Sequence, residues 1–180
     1  CEEKMADIQQ AVSAVPEDEK VSVYYAEGSG GLATDPSGSH HVEVLDFIGV
    51  NNVADVEMLA GMGMTEVTIE QVINWNPDAI LVSGSTPDNY NEILTNPIWQ
   101  NIKAVEDGNI YYTPTVPFNW FDRPPSVNRI IGFKWLGNLL YPDVYDYDII
   151  KEAKGFYKKF YHYDLTDEEI RELMIHSLRQ

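Results

Sequence analysis

The sequence predicts an α/β lobe of three layers, in which a mostly parallel central sheet is flanked by helices and followed by a helical carboxyl-terminal tail. Short apolar runs of strand character alternate with stretches of helical spacing, the pattern of a sheet covered on both faces. The stretch 68–85 joins one unit of each kind across an Asn-Pro break. Beyond residue 126 the strand pattern stops and only helical stretches follow.

Taken in order, residues 2–15 are charged and helix-prone, with Met5, Ile8, Ala11, Val12 and Val15 near helical spacing. A polar break at 16–20 precedes a strand at 21–26, where Val21, Val23 and Tyr25 alternate with Ser22, Tyr24 and Ala26. Residues 27–39 form a long glycine-rich loop. Ser39 is placed to cap the next helix, Val42, Val44, Leu45, Phe47 and Ile48 form its buried side, and Gly49 ends it. A short strand at 51–54 leads into an irregular connection at 55–65 bearing Met58, Met62 and Met64.

Thr68 then caps a helix by accepting from its free first-turn amides, Gln71 reaches back, and Ile69, Val72 and Ile73 recur at helical spacing. Pro77 lacks an amide hydrogen and pushes Asn76 out of the α region, so the helix stops there. Residues 79–82 are an unbroken apolar run, a strand buried on both faces, ending at the small polar tip Ser83-Gly84-Ser85. A helix over 86–94, a turn at 106–109 and a strand at 110–113 come next. In the loop 114–125, Phe118, Trp120 and Phe121 stand among prolines, and Asp122 is placed to cap a helix beginning at Pro124. Helices are expected at 127–140, 146–161 and 166–178, the last opened by a capping box from Thr166 to Glu169. Phe156, Tyr157, Phe160 and Tyr161 are read as packing contacts.

Composition excludes several classes. A chain of 180 residues that is 44% hydrophobic is one domain with a real core. No segment approaches the ~18 apolar residues of a membrane span, and no secretory signal is visible. A net charge of -17 argues against a nucleic-acid partner, since a polyanion demands basic residues. Neither Lys nor Arg occurs between Lys20 and Lys103, so that half carries a negative field, suited to a cationic partner or simply to solubility. Cys1 stands alone, which leaves no disulfide framework and no cysteine zinc site. At position 1 it fits the lipid-bearing cysteine of a bacterial lipoprotein; the plainer alternative is a longer helix cut there.

Ligands of open parallel sheets sit beyond the carboxyl ends of the strands, which directs attention to the loops there. The glycine-rich loop could cradle an anion, but it lacks the spacing of a nucleotide-binding loop, and a mobile contact or lid loop is the better reading. His40 and His41 could ligate a metal, yet adjacent helical positions diverge and no HxxxH spacing occurs. Arg123 could pair an anionic ligand bidentately or be tied to Asp122 or another neighbour. Met58, Met62 and Met64 could adapt to a bulky apolar ligand, with ordinary gap filling the plainer reading, while Phe118, Trp120 and Phe121 are costly to expose in a polar loop without use.

Several segments in order resemble a known family. They are Val23-Tyr24-Tyr25-Ala26, then Gly38-Ser39 through Gly49 with Asn51-Asn52-Val53-Ala54, then Val67 through Val72 with Asn76-Pro77-Asp78-Ala79-Ile80, then Ala104 through Tyr111. The tail from Trp120 through Ser126 to Leu139-Leu140-Tyr141-Pro142 continues the likeness. Together they are similar to the carboxyl-terminal lobe of helical-backbone, or class III, substrate-binding proteins of ABC importers for ferric siderophores, haem and cobalamin. The resemblance implies that residues 1–15 are the end of the inter-lobe connecting helix and 16–180 the carboxyl-terminal lobe, with the amino-terminal lobe of the same protein as a partner. It implies an extracytoplasmic location, docking of Glu70 onto arginines of the ABC permease, and ligand contacts from loop positions Tyr24, Ser29, Met64, Ser83, Ser85, Trp120 and Arg123. Neither cofactor nor catalytic residue is implied.

The leading expectation is therefore a binding module that captures a metal chelate or corrinoid between lobes. A second is a binding lobe for an oxyanion such as molybdate, with Arg123 and glycine-loop amides as donors. A third is a small α/β hydrolytic enzyme drawing on Ser83, Ser85, His40, His41, Asp122 and Glu27, although no GxSxG, HExxH or recognisable triad order is present.

Overall fold

The computed structural model describes residues 15–58 and 63–179. The expected connecting helix, Cys1 and Met62 lie outside the described residues. The strands are β1 (Ser22–Ala26), β2 (Ala33–Thr34), β3 (Asn51–Asn52), β4 (Thr65–Glu66), β5 (Ala79–Val82) and β6 (Ile110–Tyr112). The helices are α1 (Glu43–Ile48), α2 (Ile69–Trp75), α3 (Asp88–Thr95), α4 (Lys103–Glu106), α5 (Arg129–Leu140), α6 (Ile149–Tyr161) and α7 (Asp167–Leu173).

Four strands form one parallel sheet in the order β3-β1-β5-β6, with Val23 opposite Ala79 and Val82 opposite Tyr112. The pleat sends alternate side chains to opposite layers. Val23 and Tyr25 of β1, Ala79 and Leu81 of β5 and Tyr111 of β6 join a core with α1, α5, α6 and α7. Tyr24, Ala26, Ile80, Val82 and Ile110 join a second core with α2, α3 and α4. Two separate cores on the two faces make the three-layer lobe that the alternation predicts. An antiparallel pair, β2 with β4, stands beside the main sheet and was not anticipated.

Local signals succeed where the partner is close in sequence. Thr68 Oγ1 accepts from the Gln71 amide while the Gln71 side chain accepts from the Thr68 amide, and Asn76 ends α2 in the left-handed conformation. Thr166 and Glu169 form the same box at α7. Two expected caps do not form. Ser39 donates to Asp35 Oδ1 at 2.9 Å instead, and α1 starts at Glu43 without a side-chain cap. Asp122 is drawn into an ion cluster, and α5 starts at Arg129. The last helix ends at Leu173 rather than 178, because the chain beyond it turns to cover the edge of the sheet. There the Tyr112 amide donates to His176 O at 2.8 Å and Ser177 Oγ donates to Tyr112 O.

The loop between β6 and α5 is anchored by its aromatics. Trp120 and Phe121 are fully buried, Tyr25 and Phe121 rings lie 4.5 Å apart, and Trp120 meets Trp135 of α5 edge-on at 6.5 Å. Phe118 alone of the trio is largely exposed. Gly132 lets α5 pass the backbone at Trp120, since a Cβ there would stand 2.0 Å from the Trp120 carbonyl oxygen. Helix propensity alone would make Gly132→Ala more stable by up to about 1 kcal/mol. The close approach reverses the sign: urea unfolding is expected to show a loss of about 1–3 kcal/mol, and an unchanged or raised midpoint would contradict the packing.

Candidate functional site

The carboxyl end of β1 runs into Glu27, and the loop after β6 brings Asp122 and Arg123 to the same place. Arg123 Nη1 donates to Glu27 Oε1 at 2.7 Å and to Asp122 Oδ2 at 2.9 Å, while Nη2 lies 3.5 Å from Asp35 Oδ2. All three carboxylates are buried, whereas the guanidinium side chain is 34% exposed. One cation thus faces three acids at the mouth of the sheet. His41 adds a ring-nitrogen donor to the cluster, with Nδ1 2.7 Å from Asp122 Oδ1. A carboxylate can only accept, so Nδ1 carries the hydrogen and Nε2 is left facing the backbone at Gly63. A Cβ at Gly63 would stand 2.6 Å from Arg123 Nη2 and 3.5 Å from His41 Nε2, so this glycine permits the backbone to approach both.

Arg129 closes the cluster behind. It donates to Glu43, to His40 O and to Phe121 O, and its Nη2 lies 3.8 Å from Asp122 Oδ1. Burial raises the Glu27 carboxyl to about 8, against the Arg123 charge that pulls it down, and the nearby Asp35 and Asp122 add to the rise. Asp122 is likewise raised by burial, with His41 and Arg123 opposing. Glu27 Oε2, Thr34 Oγ1 and Asp35 Oδ2 are buried without a hydrogen-bond partner among the described residues.

The anticipated contact residues fall into two groups. Ser29, Met64 and Ser85 are exposed on loops, and Met64 adjoins Gly63 beside Arg123. Tyr24, Trp120 and Ser83 are not on the surface. Tyr24 is 0% exposed inside β1, where its hydroxyl donates to Gly31 O at 2.8 Å and its ring packs near Trp75 and Trp99. Trp120 is 0% exposed in the other core. Ser83 Oγ accepts from the buried Tyr25 hydroxyl at 3.1 Å. The pleat explains Tyr24: as an even-numbered residue of β1 it points into the α2–α3 layer, not out of the strand end. Glu70 is exposed in the first turn of α2.

His40 and His41 diverge, the first toward Glu43 and the second toward Asp122, and among the described residues no cluster of metal-binding side chains forms. Among the described residues the His41 ring meets Asp122 and no hydroxyl. Asp35 was not singled out from sequence, and Glu27, His41 and Asp122 were read in other roles. The available signal was the absence of Lys and Arg from 21–102: acids buried in that interval require cations from elsewhere in the chain.

A raised carboxyl has a definite pH signature. Between its ordinary value near 4.5 and its folded value of about 8, folded Glu27 holds a proton that the unfolded chain releases. Stability therefore falls as pH rises through that window, by up to about 1.4 kcal/mol per unit, and levels off above it. Chemical denaturation across the window is expected to show this fall in the parent and its loss in Glu27→Gln; a parent whose stability rises toward pH 8 would contradict the assignment.

The geometry is that of a polar mouth at the ends of parallel strands, and known proteins share the fold that carries it. A solute-binding protein of an ABC transporter from Sulfurospirillum deleyianum superposes with a TM-score of 0.90 at 36% identity, covering 96% of this chain and 53% of that one. A periplasmic solute-binding protein from Veillonella parvula gives a TM-score of 0.80 at 30% identity, over 98% of this chain and 54% of that one. The molybdate-binding protein MolA of Haemophilus influenzae is 32% identical over 149 residues, 82% of this chain and 40% of MolA. Its molybdate-bound structure has a TM-score of 0.75 at 29% identity, over 91% of this chain and 49% of that one. The chain spans about half the length of the relatives it matches. The profile of the periplasmic binding protein family matches residues 1–117, and the chain belongs to that family.

Proposed function

We propose that the chain is the carboxyl-terminal lobe of an extracytoplasmic solute-binding protein, which captures a small oxyanion of the molybdate kind and delivers it to an ABC importer. The observation that carries this reading is Arg123, a guanidinium one-third exposed at the carboxyl ends of the strands with the His41 ring beside it. A planar, charged donor of this sort suits a compact oxyanion, whose charge is met by charge-assisted hydrogen bonds. Likeness to a molybdate-binding relative supports the same choice. The relatives are named as binding proteins, which favours a binding role over a hydrolase.

The leading sequence expectation, an iron chelate, haem or corrinoid, called for aromatic walls. Tyr24 and Trp120, the two aromatics among the expected loop contacts, are core residues. What still favours a bulky ligand is the exposure of Phe118 and Met64 on strand-end loops, so this remains the second reading. Glu70 serves as the permease-docking carboxylate: it is exposed, stands on the positive end of α2 and makes no ion pair among the described residues.

Calorimetry on the intact protein separates the two readings. Molybdate and tungstate are expected to give heat, and ferric siderophores, haem and cobalamin none; the opposite pattern would sink the oxyanion reading. Arg123→Ala is a poor probe, because it strands three buried carboxylates at a stability cost of about 3 kcal/mol. Arg123→Lys keeps the charge but loses the planar fork, and should weaken oxyanion binding at least about tenfold. For docking, Glu70→Lys is expected to leave the melting temperature and ligand affinity unchanged while abolishing uptake by cells. Uptake that survives the charge reversal would show the docking residue to be elsewhere.

A further inference from the structure

A guanidinium held by three carboxylates is a poor anion receptor as it stands. With Glu27, Asp35 and Asp122 all ionised, the cluster around Arg123 is net negative before any ligand arrives. Arg129 offers little relief, since its donors are committed to Glu43, His40 O and Phe121 O. The second cation would have to be a proton. The structure has a place for it. Glu27 Oε2 and Asp35 Oδ2 are both sealed from solvent without a hydrogen-bond partner among the described residues, and the two carboxyl groups meet at the Arg123 guanidinium, Glu27 Oε1 2.7 Å from Nη1 and Asp35 Oδ2 3.5 Å from Nη2. Two ionised carboxylates offer acceptors and no donor, so neither can satisfy the other. One shared proton supplies the missing donor, and it removes one negative charge from beside Arg123 in the same step.

We propose that Glu27 and Asp35 form a proton-accepting pair that couples anion capture at Arg123 to uptake of one proton from solution. The inference rests on the reading of Arg123 as the anion anchor. As the anion takes Arg123 Nη1, Glu27 Oε1 loses its partner, and the carboxylate left in a buried site binds a proton, which it shares with Asp35. Above about pH 8, one dianion and one proton enter together. The groups facing Glu27 are Tyr24 and Tyr25 from β1, Asp35 from the turn after β2, and Asp122 and Arg123 from the loop before α5. Of these, the acids Asp35 and Asp122 disfavour the ionised form of Glu27, Arg123 favours it, and the two tyrosines stay neutral. Burial, which raises the Glu27 carboxyl to about 8, acts in the same direction as the two acids and leaves the pair partly protonated near neutrality before the anion arrives. Glu27 is on this account a positioning residue that sets the pH range of capture, and it allows a protein of net charge -17 to hold an anion.

The test is calorimetry of inorganic molybdate binding to the intact protein from about pH 6 to about pH 10, repeated in buffers of different ionisation enthalpy to count protons. Affinity is expected to be level below about pH 7 and to fall about tenfold per unit above about 8, with about one proton taken up per anion in that upper range. Glu27→Gln, whose amide replaces the protonated acid, is expected to lose both the fall and the uptake. Molybdate binding at constant affinity with no proton uptake overturns the coupling and leaves the oxyanion reading standing. A fall that persists in Glu27→Gln assigns the proton to another facing group, such as His41 or Asp122, and also overturns it. Absence of molybdate heat at every pH sinks the oxyanion reading and the coupling with it. The proton count on the parent decides the matter even if the variant folds poorly.

Discussion

Burial of β1 and β5 on both faces is the constraint from which the rest follows. Each pairs on both edges with parallel neighbours, and each sends its side chains alternately into two separate cores. A strand enclosed in this way has no lateral surface on which to place a polar group. The chemistry is forced to the strand ends, where Glu27 leaves β1 and the loop after β6 returns with Asp122 and Arg123. The same enclosure sets the dielectric there. Carboxylates at the mouth are covered by protein on most sides, so Glu27 rises while Asp78, at the opposite end of the sheet, does not. Burial acts on Asp78 as well, but hydrogen bonds from Lys103 and Ser22 outweigh it and hold the carboxyl down.

Charge is distributed in a way that ties the two halves of the chain together. The interval 21–102 contains acids and no Lys or Arg, yet Glu27, Asp35 and Glu43 all find cations. Arg123 and Arg129 come from the loop and helix of the carboxyl-terminal part. Separation of the partners is large, 96 residues for Arg123 with Glu27 and 86 for Arg129 with Glu43. Such pairs stabilise little by themselves, since the cost of desolvation offsets most of the attraction. Their effect is to fix where the loop before α5 sits against the glycine-rich loop after β1.

What could be read from the sequence followed the range of the interaction. The Thr68–Gln71 box, the Asn76-Pro77 stop and the run 79–82 depend on neighbours a few residues away, and all appear where expected. The three-layer α/β class was legible for the same reason, as a sum of local periods. Ser39 and Asp122 look like caps locally, but both are captured by distant or buried partners, Asp35 and the His41–Arg123 cluster. Tyr24 and Trp120 were placed on loops by analogy of position, whereas burial is decided by which side of the pleat and which core a residue meets. The ion cluster was hidden because no local pattern announces a pairing across some ninety residues, although the long interval without cations hinted that partners must come from afar.

Residues 120–123 run without interruption from core to mouth: Trp120 and Phe121 are sealed in aromatic contacts, and Asp122 and Arg123 follow directly. Four consecutive residues therefore share one mechanical fate. The guanidinium follows directly on two core residues and is held by acids on several sides, so much of its side-chain freedom is already lost. For a free arginine that freedom amounts to about 2 kcal/mol, which a ligand would otherwise have to overcome. On the proposed reading, an incoming anion would take the place of Glu27 on a donor that is already held. In that proposal, selection among anions would fall to size and protonation rather than to the closing of a flexible arm.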